Sequence, residues 1–319
     1  MEKQGNLFLI DWLTVTSKCD SVQSMIDLLG MPGVSWENKE AYMNGYPFRC
    51  SFNGINILYG AREDMGVCLT MSGTGCRAFE TYGIINGSGS WLQLLNVFVS
   101  DPESYNITRL DIAFDDHTGI LDIDVLKDDT DDHNYVSKSR WWKVEYGSEG
   151  CTIYHGSPQS NVRIRIYDKA AERGYQDNTH WIRVEIMLRD KNAENAASLI
   201  LAHGKIASVF CGILRNYLTY RIPSPDSNKS RWPLAEYWDE LLNNAAPLSV
   251  WSAPGEEYNI FKLTNFLVNQ CGGAITCWRE IFGLDQLNEE IKMKEIQLSP
   301  KYQRLIEQHK RILRKCVDQ

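Results

Sequence analysis

The sequence predicts an α+β fold: an antiparallel or mixed central sheet with helices on one face, followed by a small helical C-terminal domain. Three observations carry that expectation. Segments 107–116 (ITRLDIAFDD), 162–169 (VRIRIYDK) and 181–189 (WIRVEIMLR) alternate apolar and polar residues with period two, as half-buried strands do. Residues 192–218 instead set Leu199, Ile206, Phe210, Ile213 and Tyr217 at helical spacing. Past the stretch 221–233, with three prolines and three serines, the pattern is helical throughout.

Taken in order, FLIDWLTVT reads as a strand and Ser21 to Leu29 as a short helix. PFRCSF and INILYG form a hairpin around Asn53-Gly54, a dipeptide suited to tight turns. Residues 66–72 give another strand, ending in the turn of SGTGCR, and a helix starts near Cys76. A second helix covers Trp91 to Val99, followed by the strand at 107 and an acidic segment. CTIYHG and VRIRIYDK make a hairpin across SPQSN, and the strand 181–189 and the long or broken helix 192–218 complete the unit. The expected organisation is a catalytic unit over 1–220, a linker at 221–233 and a helical domain over 234–319, with helices at 234–244, 257–269, 274–282 and 300–316.

The chain has 319 residues, 43% of them hydrophobic, and ten tryptophans, ample for a packed core. The N-terminal run LFLIDWL is interrupted by Asp11, and no stretch approaches the roughly 18 apolar residues of a membrane span. A soluble, cytoplasmic protein with no membrane partner is expected. Nine scattered cysteines without a C-x-x-C pair argue against a zinc or disulfide framework. Six histidines show neither H-x-H nor H-E-x-x-H, which disfavours a zinc hydrolase. SGTGCR lacks the spacing of a nucleotide-binding phosphate loop, so its glycines are expected to serve a turn, leaving Arg77 free to meet a DNA phosphate.

The net charge of −8 argues against nucleic acid until its distribution is considered. Residues 101–135 hold eleven acids and two bases, whereas 136–189 hold nine bases and six acids. Local field matters more than the total. At the C-terminus Lys310, Arg311, Arg314 and Lys315 cluster within two turns, either as a solvated helix face or as a DNA backbone contact.

The three alternating strands put chemistry on their polar faces. Arg163, Arg165, Tyr167 and Lys169 share one face of 162–169, and a tyrosine held between cations suits a nucleophile that attacks a phosphate. Its phenol, with an ordinary pKa of about 10, needs a cation or a base to become one. A tyrosine merely packed on arginine stems is the plainer alternative. Asp111, Asp115 and Glu185 could converge from two strands on Mg²⁺ or Mn²⁺, which favour a few carboxylates plus phosphate oxygens. Cross-strand pairs of these acids with Arg109, Arg183 and Arg189 are the alternative. Trp141, Trp142 and Tyr146 are candidates for base stacking or for core packing.

Together, IDWLTVT, MSGTGCRAFE, ITRLDIAFDD, TIYHGSPQSNVRIRIYDKAAE and WIRVEIMLR resemble the replication initiation factor family, over about residues 7 to 240 and in the family's order. That family includes initiators of rolling-circle plasmids, relaxases of conjugative elements and replication proteins of filamentous phages. The resemblance implies a Rep/relaxase-like fold and a metal-dependent DNA endonuclease that nicks and transfers one strand through a 5′-phosphotyrosyl intermediate. It implies Tyr167 as nucleophile, with Lys169, Arg165 and Arg109 beside it, and Asp111, Asp115 and Glu185 as ligands of Mg²⁺ or Mn²⁺. Arg77, Arg163, Arg183 and the four C-terminal bases are the expected DNA contacts. The partner is origin DNA, single-stranded or extruded at the nick; a helicase and a DNA polymerase are candidate partners, and a homodimer a candidate assembly. The competing class is a non-catalytic DNA-binding regulator that keeps the fold.

Overall fold

A computed structural model describes residues 5–18, 20–85, 91–147, 150–175, 179–242 and 271–294, with isolated positions at 267, 298, 302–303 and 306. The strands are β1 (Leu7–Ser17), β2 (Glu37–Met43), β3 (Tyr46–Phe52), β4 (Ile55–Tyr59), β5 (Val67–Met71), β6 (Tyr105–Asp116), β7 (Tyr135–Ser137), β8 (Trp142–Gly147), β9 (Gly150–His155), β10 (Val162–Asp168), β11 (Ile182–Arg189) and β12 (Leu218–Tyr220). Between them run α1 (Val22–Leu28), α2 (Gly73–Ile85), α3 (Trp91–Ser100), α4 (Ile123–Asp131), α5 (Lys169–Glu172), α6 (Lys191–His203), α7 (Ile206–Tyr217) and α8 (Glu236–Leu242).

Ten strands form one sheet in the order β2-β3-β4-β5-β1-β6-β11-β10-β9-β8. Every ladder among the described residues is antiparallel, so of the two sheet types expected the antiparallel one is found. One apolar cluster joins Ile10, Leu13, Ile112, Ile166, Val184 and Ile186 of the sheet to Phe79, Leu95, Ala197, Phe210 and Trp238 of the helices. Helices therefore cover one face, and the alternate residues of β6, β10 and β11 are left to build the other.

Two local features shape the centre of the sheet. β1 carries a bulge where Ile10 pairs with Ile112 and Trp12 pairs with Asp111, leaving Asp11 as the extra residue. A bulge re-aims side chains; here it turns both Asp11 and Trp12 towards the polar face while Ile10 and Leu13 stay in the core. At the β3–β4 turn, Asn53 (φ 40°) and Gly54 (φ 83°) both adopt positive φ, as a two-residue hairpin requires. Gly75 lies so close to that turn that a Cβ would meet the Gly54 carbonyl oxygen at 2.4 Å, which accounts for one glycine of SGTGCR.

Of the long or broken helix expected over 192–218, the broken form is found, because Gly204 ends α6 in the left-handed conformation (φ 65°) before α7 begins. Other expectations change. The segment 221–233 does not separate two units. Arg221 bridges to Leu234 in a β-pair, and α8 beyond it buries Trp238, Leu241 and Leu242 against the first unit's core. The chain divides instead into Met1–Trp251 and Ser252–Gln319. Within the second unit, helices Gly272–Phe282 and Leu284–Met293 meet at Gly283 (φ 81°), and Trp278 packs on Phe282 with ring centroids 5.0 Å apart. The helices expected at 257–269 and 300–316 fall almost entirely outside the described residues, as do Lys310, Arg311, Arg314 and Lys315.

Candidate active site

Strand register brings the polar residues together in rows. Tyr167 on β10 lies opposite Arg183 on β11, which lies opposite Asp115 on β6. Two pairs further along, and so on the same face, Arg165 lies opposite Glu185. Because Ile112, Ile166 and Val184 point into the core, Asp111, Tyr167 and Glu185 share the other face. That face is not open to solvent: Tyr167 is 2% exposed, Asp111 0% and Glu185 6%. Arginines cover them.

The Arg165 guanidinium stacks 3.8 Å from the centroid of the Tyr167 ring, and the Lys169 ammonium stands 5.2 Å from it. Arg165 also approaches Glu185 at 3.8 Å. Lys169, itself buried, donates to Glu172 one turn on in α5. Burial, and then the neighbouring Glu185 charge, raises the Tyr167 phenol above its ordinary value, against the pull of Arg183 and Arg165. The phenol is therefore protonated at neutral pH.

Asp111 accepts from Arg109 through both oxygens at 2.5 to 3.1 Å, and the same guanidinium stacks 4.2 Å over Trp12. Burial holds Asp111 well above the usual carboxylate range; Glu185 adds to that and Arg109 opposes it. Burial and then Asp11 raise Glu185 in turn. Each of the two carboxyls acts on the ionisation of the other across that face. Two acids forced together in a low-dielectric site favour a shared proton or a cation.

Asp115 is not the third member of that pair. Arg183 donates to its two oxygens at 2.6 and 2.7 Å and reaches Asp11 at 2.7 Å with its remaining amino group. Asp115 is thus neutralised by a two-point arginine contact, and no three histidine, cysteine or acidic side chains among the described residues close on one point. Arg183 is in turn only 6% exposed, so it braces the sheet and does not present itself to a phosphate. Arg77 also departs from expectation. It is not free: it donates to the Ile10 carbonyl and to Glu80, each at 2.7 Å, and so ties α2 to the β1 bulge.

Arg163 stacks 4.1 Å over the Tyr154 ring, and Arg163 Nε and Arg165 Nε are both buried donors with no acceptor among the described residues. His155 and His180 lie away from the site: His155 meets Tyr220 in the core, and His180 pairs with Asp116 at 3.1 Å.

Asp11 is the site residue that sequence reasoning missed. Gly73 at the start of α2 makes room for it, since a Cβ there would lie 2.7 Å from the Asp11 carboxylate. The available signal was a charged residue between Ile10 and Trp12 where strict alternation fails, the mark of a bulge.

Comparison with known proteins agrees with this geometry. The family described as Replication initiation factor matches residues 105–296, and the Rolling Circle replication initiation protein N-terminal domain matches residues 7–97. The chain is 23% identical to the putative DNA relaxase NicK of Bacillus subtilis (strain 168), covering 94% of this chain and 88% of that one. Its fold is similar to the structure of a rolling circle replication initiator protein from Geobacillus stearothermophilus, with a TM-score of 0.67 and 29% identity over 77% of this chain and 99% of that chain.

Proposed function

The chain belongs to the replication initiation factor family, and from that premise we propose that it nicks one strand of origin DNA with Tyr167, holds the 5′-phosphate on that tyrosine, and later transfers it. The observation that carries the reading is the placement of Tyr167 on the same sheet face as the buried Asp111 and Glu185 carboxyls, with Arg165 touching both the ring and the acid. Attack by the phenol oxygen forms a phosphotyrosine and releases a 3′-hydroxyl, so the phosphodiester energy is kept for rejoining.

Asp111 and Glu185 fit Mg²⁺ or Mn²⁺, which are held through one or two carboxylates and substrate phosphate oxygens. Asp111 and Asp115 each have both oxygens engaged by an arginine, and what favours Asp111 as a ligand is the second carboxyl, Glu185, beside it. When bound, the ion supplies Lewis-acid stabilisation of charge on the phosphate. The protein's own groups do the rest. Arg165 and Lys169 over the Tyr167 ring lower the cost of the phenolate that forms as the proton leaves. Arg163 and Arg165 bring unpaired Nε–H donors, which the flanking phosphates satisfy, and an incoming strand exchanges arginine–carboxylate contacts for arginine–phosphate ones. Such a sheet face suits single-stranded or extruded DNA.

Incubating the protein with a supercoiled plasmid carrying its origin, with Mg²⁺ or Mn²⁺, tests the reading. Nicked circles should form, and a 3′-end-labelled single-stranded oligonucleotide spanning the nick site should migrate with the protein on a denaturing gel. Nicking without a covalent adduct would instead indicate attack by water, and DNA binding without nicking would indicate a regulator.

A further inference from the structure

Beside Tyr167, on the side towards β9 and β8 and away from Asp111, a cleft of about 290 Å³ is lined by Tyr146, Thr152, Arg165, Asp168 and Glu172, with Gly147 and Gly150 at its hairpin end. Ligand pockets run from roughly 300 to 1,000 Å³, so this one suits a single flat group, not a base pair. Tyr146 is 75% exposed. A large aromatic ring left in solvent on the wall of a polar cleft, next to a nucleophile, is placed to stack on something flat.

Resting on the tyrosine reading above, we propose that this cleft is a base-specific pocket for the first nucleotide on the 3′ side of the nick, with Tyr146 as its stacking residue. In-line displacement sets the departing 3′-oxygen opposite the attacking phenol oxygen. The nucleotide that leaves therefore lies on the far side of the phosphorus from Tyr167. The nucleotide that stays attached is the one whose base can turn into a cleft on the tyrosine's own flank.

The lining selects among bases. Glu145, Asp168 and Glu172 all border the cleft. Glu145 is engaged by Lys143 at 2.5 Å, Asp168 caps the Ala171 amide at 2.8 Å, and Glu172 accepts from Lys169. An ionised carboxylate has about four lone-pair sites and no donor, so each keeps capacity to accept. Adenine, cytosine and guanine bring exocyclic amino groups with two N–H donors each to such acceptors, whereas an unpaired thymine brings a single N3–H flanked by two carbonyl oxygens that a carboxylate repels. The pocket should therefore favour an amino-bearing base over thymine.

The test uses the full chain and single-stranded oligonucleotides through its mapped nick site, carrying A, C, G, T or an abasic sugar as the first 3′ nucleotide. The rate of adduct formation should fall about tenfold with thymine. Tyr146→Ala should lower it about tenfold on the amino-bearing bases, in line with the loss of one base–aromatic stack, and Tyr146→Trp should restore it. On the abasic strand Tyr146→Ala and the native protein should react alike. Equal use of thymine, or an equal Tyr146→Ala deficit on the abasic strand, overturns the proposal. The same series is bound to the Tyr167→Phe protein and followed by fluorescence anisotropy. If the native protein forms no adduct, the nucleophile reading has failed, and the anisotropy series still decides whether the cleft discriminates bases through Tyr146.

Discussion

Arg183 grips Asp115 through both carboxylate oxygens, at 2.6 and 2.7 Å, across the β11–β6 pair. Its third donor holds Asp11 at the β1 bulge, so one guanidinium joins β11, β6 and β1. Removing one partner of a buried ion pair typically costs about 3–5 kcal/mol, because the other charge is left without compensation. Asp115→Asn should therefore lower stability in chemical denaturation by roughly that amount. A stable Asp115→Asn protein that had lost only its response to divalent ions would return Asp115 to the metal site.

Glu185→Gln and Asp111→Asn should behave differently. Each removes a carboxylate from the pair proposed to take Mg²⁺ or Mn²⁺, so Mn²⁺ binding in the presence of single-stranded oligonucleotide should weaken at least tenfold, or about 1.4 kcal/mol. Electron paramagnetic resonance of free Mn²⁺ reads this without reference to activity. Chelation should stop nicking in the native protein while DNA stays bound. Unaltered Mn²⁺ affinity in both variants would remove these acids from the metal site.

His155 sets a pH dependence of stability. Burial lowers its pKa to about 3, with Tyr220 3.1 Å from Nε2. The folded state holds the ring neutral, while the unfolded chain takes up a proton below about pH 6.5. Its contribution is thus fully present above pH 6.5 and is lost as pH falls from there towards 3, by about 2 kcal/mol at pH 5. His155→Gln has no such titration, so the stability difference between the native protein and the variant should shrink or reverse on acidification. A difference that is flat between pH 7 and 5 would mean that His155 is protonated within the fold.

The segment expected as a linker belongs to the first unit, and that too can be measured. Trp238 is fully buried and donates to the Leu218 carbonyl at 3.2 Å. Trp238→Ala should cost about 3–5 kcal/mol, and a chain ending at Tyr220 should be far less stable than one ending at Trp251. Equal melting of the two shortened chains would restore the boundary at 221–233.

Period-two alternation was enough to locate β6, β10 and β11 and to assign Ile112, Ile166 and Val184 to the core, because one buried face leaves a direct pattern in the sequence. The same pattern set Tyr167, Asp111 and Glu185 on one face. It could not say which acid each arginine would choose, since Arg183 has Asp115 and Asp11 within reach only after β1 is laid beside β6. Asp11 itself was hidden by the bulge, which breaks the alternation that would have placed it. The exposed β2, with its polar run ENKEAYM, left no apolar signal to find. Proline and serine at 221–233 suggested a linker because loop composition looks the same whether the loop packs on a core or spans between domains.

The central claim is that Tyr167 carries the DNA, and trypsin offers a direct reading of it. Cleavage after Arg165 and Lys169 releases residues 166–169, which contain Tyr167 as their only tyrosine, whereas Tyr146 and Tyr154 fall together in residues 144–163. Mass spectrometry of the nuclease-trimmed covalent adduct should find the nucleotide on the 166–169 peptide, and the Tyr167→Phe protein should give no adduct while binding DNA nearly as well as the native protein. A nucleotide on the 144–163 peptide, or an adduct that survives Tyr167→Phe, would contradict the assignment.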